Sequence, residues 1–251
     1  MDGTKAVRGG IPIVFPCFGA PVHPEHSRLS QHGFARNHIW QCQGVVRDND
    51  AGVSAKFCRL ISLDANGTDQ MIRFPALNPT PVIQEIYNRS FCLHYIVTVA
   101  EHQISTDLHV ENTSTGDMEF QALFHNYIRA PSDEVVVTPL QELVYYDKTD
   151  TLTDGQPKQK IESRTAVDVR QGTDSLYESA PQDYEIKWGS SGVGIKTVNL
   201  KDVVVWNPQD EGRKLADMEE GGWYGRDNRD SVVQRANRIV GRITSVSSQA
   251  S

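Results

Sequence analysis

FCLHYIVTVAEHQISTDLHVEN, residues 91–112, reads as two strands folded back on one another. In its second half Ile104, Thr106, Leu108 and Val110 alternate with polar neighbours, the period of two that a half-buried strand requires. Residues 91–101 and 103–112 therefore form the arms of a hairpin. Similar pieces lie on both sides of it. Upstream, residues 39–46 and 53–63 read as strands, divided by the turn 47–52 and followed by the turn Asp64-Ala65-Asn66-Gly67. Downstream, residues 118–128, 134–138, 143–146, 165–169, 184–188, 192–198 and 202–206 are short strand-like runs. Between them, residues 147–164 are polar and turn-rich and read as a long excursion. Strands recurring at roughly 8–12 residues, with no helices alternating between them, specify an all-β sandwich.

The 251 residues suffice for one sizeable all-β domain or two small ones. A composition 38% hydrophobic and 23% charged belongs to a folded protein rather than a disordered one. The net charge of −7 argues against a nucleic-acid partner, because phosphate backbones need a basic footprint. No apolar run approaches the roughly 18 residues of a membrane span, and MDGTKAVRGG lacks the apolar core of a signal peptide. A cytosolic monomer with neither a membrane nor a nucleic-acid partner is the expectation. Cys17, Cys42, Cys58 and Cys92 show no C-x-x-C pairing and no zinc-ligand spacing. They read as reduced core residues.

Residues 8–36, RGGIPIVFPCFGAPVHPEHSRLSQHGFAR, carry the first candidate chemistry. Arg8 stands in a Gly-Gly turn, residues 11–15 form an apolar strand, and the stretch closes on Gln31-His32-Gly33-Phe34-Ala35-Arg36. Arginine presents a rigid fork of donors suited to phosphate or carboxylate oxygens. Glycines permit positive φ and close approach of backbone to a ligand. The residues alone leave two readings open, turn arginines or an anion site. A third reading draws His23, His26, His32 and His38, with Glu25, as a metal site.

DGTKAVRGGIPIVFPCFG followed by LSQHGFARNHIW resembles the signature of the hexose-6-phosphate mutarotases (glucose-6-phosphate 1-epimerases), a branch of the aldose 1-epimerase superfamily. The resemblance implies a large, mainly antiparallel, galactose mutarotase-like β-sandwich with a sugar pocket on one face. It implies interconversion of the α and β anomers of a hexose 6-phosphate by ring opening and closure, which needs no cofactor and no metal. A base takes the proton of the C1 hydroxyl while an acid protonates the ring oxygen. His125, in ALFHNYI, matches the position of the family's catalytic acid, although Asn126 and Ile128 depart from the pattern. Without the resemblance, a lone strand histidine reads as a satisfied core residue. Asp174, in QGTDSLYE, matches an aspartate that holds sugar hydroxyls; Tyr177 keeps its spacing and Ser175 replaces an arginine. Arg8, Gln31 and Arg36 match positions that hold the substrate and its 6-phosphate, and His32 lines the same pocket.

The resemblance continues through VVVWNP, residues 203–208, and Ala216-Asp217, then fails. The family's catalytic base is a glutamate in a strand after the position of Trp223, yet no Glu follows Glu220 here. Two segments are therefore expected: a mutarotase-like sandwich over 1–223 and a divergent basic segment over 224–251. In the latter, Val232, Val233, Ala236, Ile239, Val240 and Ile243 recur at helical spacing, so an amphipathic helix or a frayed tail is expected. The chain also begins inside the motif, which implies a sandwich incomplete at its N-terminal edge. The missing glutamate leaves an alternative to the enzyme, a sugar-phosphate binder without turnover.

Overall fold

The computed structural model describes residues 9–58, 81–214, 230–240 and 246–250. These residues form seventeen strands: β1 (Ile13–Val14), β2 (Gln41–Asn49), β3 (Gly52–Cys58), β4 (Phe91–Ala100), β5 (Gln103–Asn112), β6 (Glu119–Phe124), β7 (Tyr127–Arg129), β8 (Val136–Thr138), β9 (Val144–Thr151), β10 (Pro157–Ile161), β11 (Val167–Asp168), β12 (Thr173–Tyr177), β13 (Asp183–Trp188), β14 (Ser191–Val198), β15 (Asp202–Asn207), β16 (Asp230–Val240) and β17 (Val246–Ala250). One short helix, α1 (Pro81–Ile86), interrupts them. The first sheet has the order β1-β6-β16-β15-β12-β9-β10, with β7 also paired to β16. The second has the order β11-β8-β13-β14-β17-β5-β4-β3-β2. Every ladder between these strands is antiparallel. The fold is the all-β sandwich that the alternating pattern specified.

Alternation assigns the faces. In β15, Val203 and Val205 join Tyr177, Tyr184 and Ile186 in an interior cluster. Phe15, Phe34, Phe91, Phe120 and Phe124 form a second interior cluster with Leu93 and Leu108. Each fully buried side chain of this kind is worth about 1.5–3 kcal/mol. The intervening residue Val204 belongs instead to a third cluster, with Val14 and Leu123, against which Phe18, Leu176 and Trp206 pack. The first sheet thus covers the core with one face and presents a smaller apolar floor on the other. A cavity of about 330 Å³ lies between β7 and strands of the second sheet, lined by Ile11, Thr106, Asn126, Ile128, Trp188 and Ile195 among others.

Several expectations are corrected. The excursion at 147–164 contains most of the β9–β10 hairpin, held by Lys160 bonding Asp147 and Asp150 at 2.7 and 2.9 Å and Lys158 bonding Asp150 at 2.6 Å. Strand β2 runs three residues past its expected end into the expected turn. The helix or tail expected over 224–251 is strand where it is described: β16 lies between β6 and β15, and β17 between β14 and β5. β-Branched Val232, Val233, Ile239 and Val240 suit a strand flanked on both sides, and that context overrides their helical spacing. Cys17 and Cys92 are buried and in no disulfide, but Cys42 is exposed rather than in the core.

Candidate functional site

His125 follows the last residue of β6, where alternation turns it away from Phe124 and the core. Its N–H donates to the Pro12 carbonyl at 2.9 Å, and the Tyr127 N–H donates to Gly10 at 3.0 Å. These bonds draw the segment Gly10–Pro12 alongside the histidine. The buried imidazole stacks on Tyr127, with ring centroids 4.6 Å apart at 21°. It meets His32 edge-on at 6.3 Å and Trp206 at 6.4 Å.

The turn carrying His32 is built on two consecutive left-handed residues, His32 and Gly33, each at φ 68°. Gly33 has no substitute here. A Cβ would lie 2.1 Å from the Phe15 carbonyl oxygen, which accepts the Phe34 N–H at 3.0 Å. His32 is locked by a pair of bonds to Gly19: its N–H donates to the Gly19 carbonyl at 2.9 Å, and its Nδ1 accepts the Gly19 N–H at 3.1 Å. An Nδ1 that accepts places the donor N–H of the ring on Nε2. Exposed Gln31 and half-buried Arg36 belong to the same turn, where the Arg36 Nη2 donates to the Gln31 carbonyl at 3.4 Å.

Asp174 lies in β12, directly across from Trp206 in β15. Its Oδ1 is 3.4 Å from the Lys148 Nζ, which sits 4.5 Å over the Phe18 ring. Phe18 in turn packs on His32 at 5.4 Å. Burial pushes the Asp174 carboxyl above the usual aspartate range, and Lys148 offsets this only in part. Asp174, Lys148, Phe18, His32, His125 and Trp206 therefore follow one another around a single patch. Its apolar floor is Val204, Leu123 and Leu176. Aromatic and apolar surface for the faces of a sugar ring, with polar groups at the rim for hydroxyls, is what such an arrangement offers.

The structure thus brings His125 and His32 together, joins Gln31 to Arg36, and links Asp174 to them through Lys148 and Phe18. Arg8 lies outside the described residues, as do Glu219 and Glu220. Lys148 was missed because it fell in the supposed excursion. Tyr146 pairs with Leu176, so Lys148, two residues on, shares the face of Leu176 and Asp174; a strand reading of YYDKTDT would have revealed it. The four histidines at 23, 26, 32 and 38 do not converge on a metal: His26 packs on Tyr87 at 5.6 Å, whereas His32 packs on Phe18. The strand between β6, which ends just before His125, and β15, which carries Trp206, is β16. Its residues 230–240 include one acidic side chain type, Asp230, and no glutamate.

Fold and patch together define a galactose mutarotase-like sandwich. The structure resembles that of a mutarotase (YeaD) described as putative, from Salmonella typhimurium, with a TM-score of 0.76 at 19% identity, covering 100% of this chain and 76% of that one. It also resembles Slr1438 from Synechocystis sp. PCC 6803, with a TM-score of 0.70 at 16% identity, covering 98% and 78%. The family model for aldose 1-epimerase matches residues 1–226, and the chain belongs to that family. A "Putative glucose-6-phosphate 1-epimerase" from Cenchrus ciliaris is 30% identical over 228 residues, 87% of this chain. The chain spans 60% of the length of that relative.

Proposed function

We propose that this chain binds a hexose 6-phosphate, chiefly glucose 6-phosphate, on the patch around His125 and interconverts its anomers. The observation that carries this reading is the closed sequence of contacts from Asp174 through Lys148, Phe18 and His32 to His125 and Trp206. In this reading His125 protonates the ring oxygen while a solvent water takes the proton of the C1 hydroxyl. The open aldehyde turns about C1–C2, and closure returns the proton to the imidazole. His32 donates from Nε2, and Asp174 accepts from sugar hydroxyls. Arg36 and Arg8 supply the guanidinium groups that a 6-phosphate dianion requires. The sequence motifs around Arg8–Arg36 and the plant relative's printed name support the phosphorylated substrate.

The lack of a glutamate in β16 favours a second reading, a sugar-phosphate binder without turnover. The His32 Nδ1 lone pair is engaged by Gly19, and Asp174 is paired with Lys148, so neither is a free base. Magnetisation-transfer NMR on glucose 6-phosphate separates the readings. Exchange above background that disappears in His125→Ala, and is absent with unphosphorylated glucose, is the expected result. Binding without exchange would establish the second reading, and absence of both would overturn the two together.

A further inference from the structure

The outer face of the second sheet, remote from the sugar patch, carries a group of side chains that the reaction does not use. In β4, Phe91 and Leu93 point into the core, so Cys92 and His94 alternate to the opposite face. In β5, Leu108 and Val110 point inward, which places His109 and Glu111 outward. The register pairs Cys92 with Glu111 and His94 with His109. The ligand atoms of Cys92, His94 and Glu111 all lie within 4.8 Å of one another. The Cys92 Sγ is 3.1 Å from the His94 Nε2.

From this convergence we infer that Cys92, His94 and Glu111 form a binding site for a divalent transition metal of the zinc type. A thiolate, an imidazole and a carboxylate are the three ligand types that Zn²⁺ accepts, and they leave a fourth position for water. The S/N/O set is too soft for magnesium or calcium, which take oxygen ligands. Depth is graded across the group: Cys92 is buried, His94 is intermediate and Glu111 is exposed, so the carboxylate stands at the entrance. On binding, the Cys92 thiol gives its proton to solvent as the sulfur–metal bond forms. No electron transfer is involved. The two adjacent strands pre-position all three ligands, since β4 and β5 pair over their full length from Phe91–Asn112 to Ala100–Gln103.

Cobalt reports the site. The full chain, freed of metal with a chelator and kept reduced, is titrated with Co²⁺ and followed by absorbance. The expected result is saturation at one equivalent, with a near-ultraviolet thiolate-to-cobalt band that excess Zn²⁺ bleaches. Cys92→Ser abolishes the band, whereas Cys42→Ser retains it. Glu111→Gln, at an exposed position where folding is not at risk, weakens Co²⁺ binding by about tenfold or more. Absence of the band, its survival in Cys92→Ser, or an unchanged affinity in Glu111→Gln would overturn the site. Glucose 6-phosphate binding serves as an independent readout and is expected to be the same in all three variants, because they lie on the other sheet.

Discussion

Two carboxylates, half-buried Asp174 and buried Glu162, respond to their surroundings in opposite directions. Asp174 is raised by burial more than Lys148 lowers it. Its contribution to stability is full below its unfolded value of about 3.8 and is lost as pH rises through the folded value. Asp174→Asn is therefore expected to be more stable than the native chain at neutral pH, with the gain vanishing below pH 3.8. The same change should weaken glucose 6-phosphate binding about tenfold, the loss of one good hydrogen bond to a charged acceptor. Urea midpoints on both sides of that pH, with calorimetric titration of the ligand, test the pair of effects; an equal stability change at both pH values would refute the linkage. Glu162 behaves in reverse. Burial pushes it up, but Arg164, through Nε and Nη2 at 2.9 and 2.8 Å, and the Tyr177 hydroxyl at 2.7 Å outweigh burial and hold it low. Its contribution is present above about pH 4.5 and is lost as pH falls through the folded value. Tyr177→Phe should cost about 1.5–3 kcal/mol at neutral pH, and less once Glu162 is protonated. A cost that does not shrink in acid would mean that Tyr177 matters for packing rather than for this bond.

At the scale of elements, the turn from Gln31 to Arg36 has the least tolerance. Gly33→Ala would force a side chain into a left-handed position and against the Phe15 carbonyl, at a cost of about 3 kcal/mol or more. Because His32 and Arg36 ride on the same turn, the variant is expected to lose both urea stability and sugar-phosphate affinity. Retention of either would show that the turn relaxes without moving its neighbours. This turn was legible in the sequence through its motif, as was the β4–β5 hairpin through its alternation of Ile104, Thr106, Leu108 and Val110. The β9–β10 hairpin was not. It stands at the edge of its sheet, and what holds it is ion pairing of Lys158 and Lys160 with Asp147 and Asp150, which in one dimension resembles a solvated loop. Lys148 was lost with it. His125 and Asp174 were legible only through family resemblance, because neither period nor composition distinguishes them from a core histidine and a turn aspartate.

At the scale of the molecule, β16 and β17 decide whether the sandwich closes. Spacing alone made an amphipathic helix or a frayed tail the expectation over 224–251, since Val232, Val233, Ala236, Ile239, Val240 and Ile243 satisfy the helical period. What the spacing could not show is that two strands distant in sequence offer this segment backbone partners, β15 along residues 232–236 and β6 along residues 235–240. β17 fills the corresponding gap between β14 and β5 in the other sheet. Without these two strands, β6 and β15 lose their shared neighbour, β5 and β14 lose theirs, and unpaired backbone groups face one another across both gaps. A chain ended at residue 223 is thus expected to lose cooperative urea unfolding and to expose apolar surface to a hydrophobic dye, while a chain ended at residue 240 keeps the first sheet and is expected to retain a broadened transition at lower urea. If the 223-residue form instead unfolds with the midpoint and steepness of the full chain, β16 and β17 are accessory and the sandwich is held by the remaining strands alone.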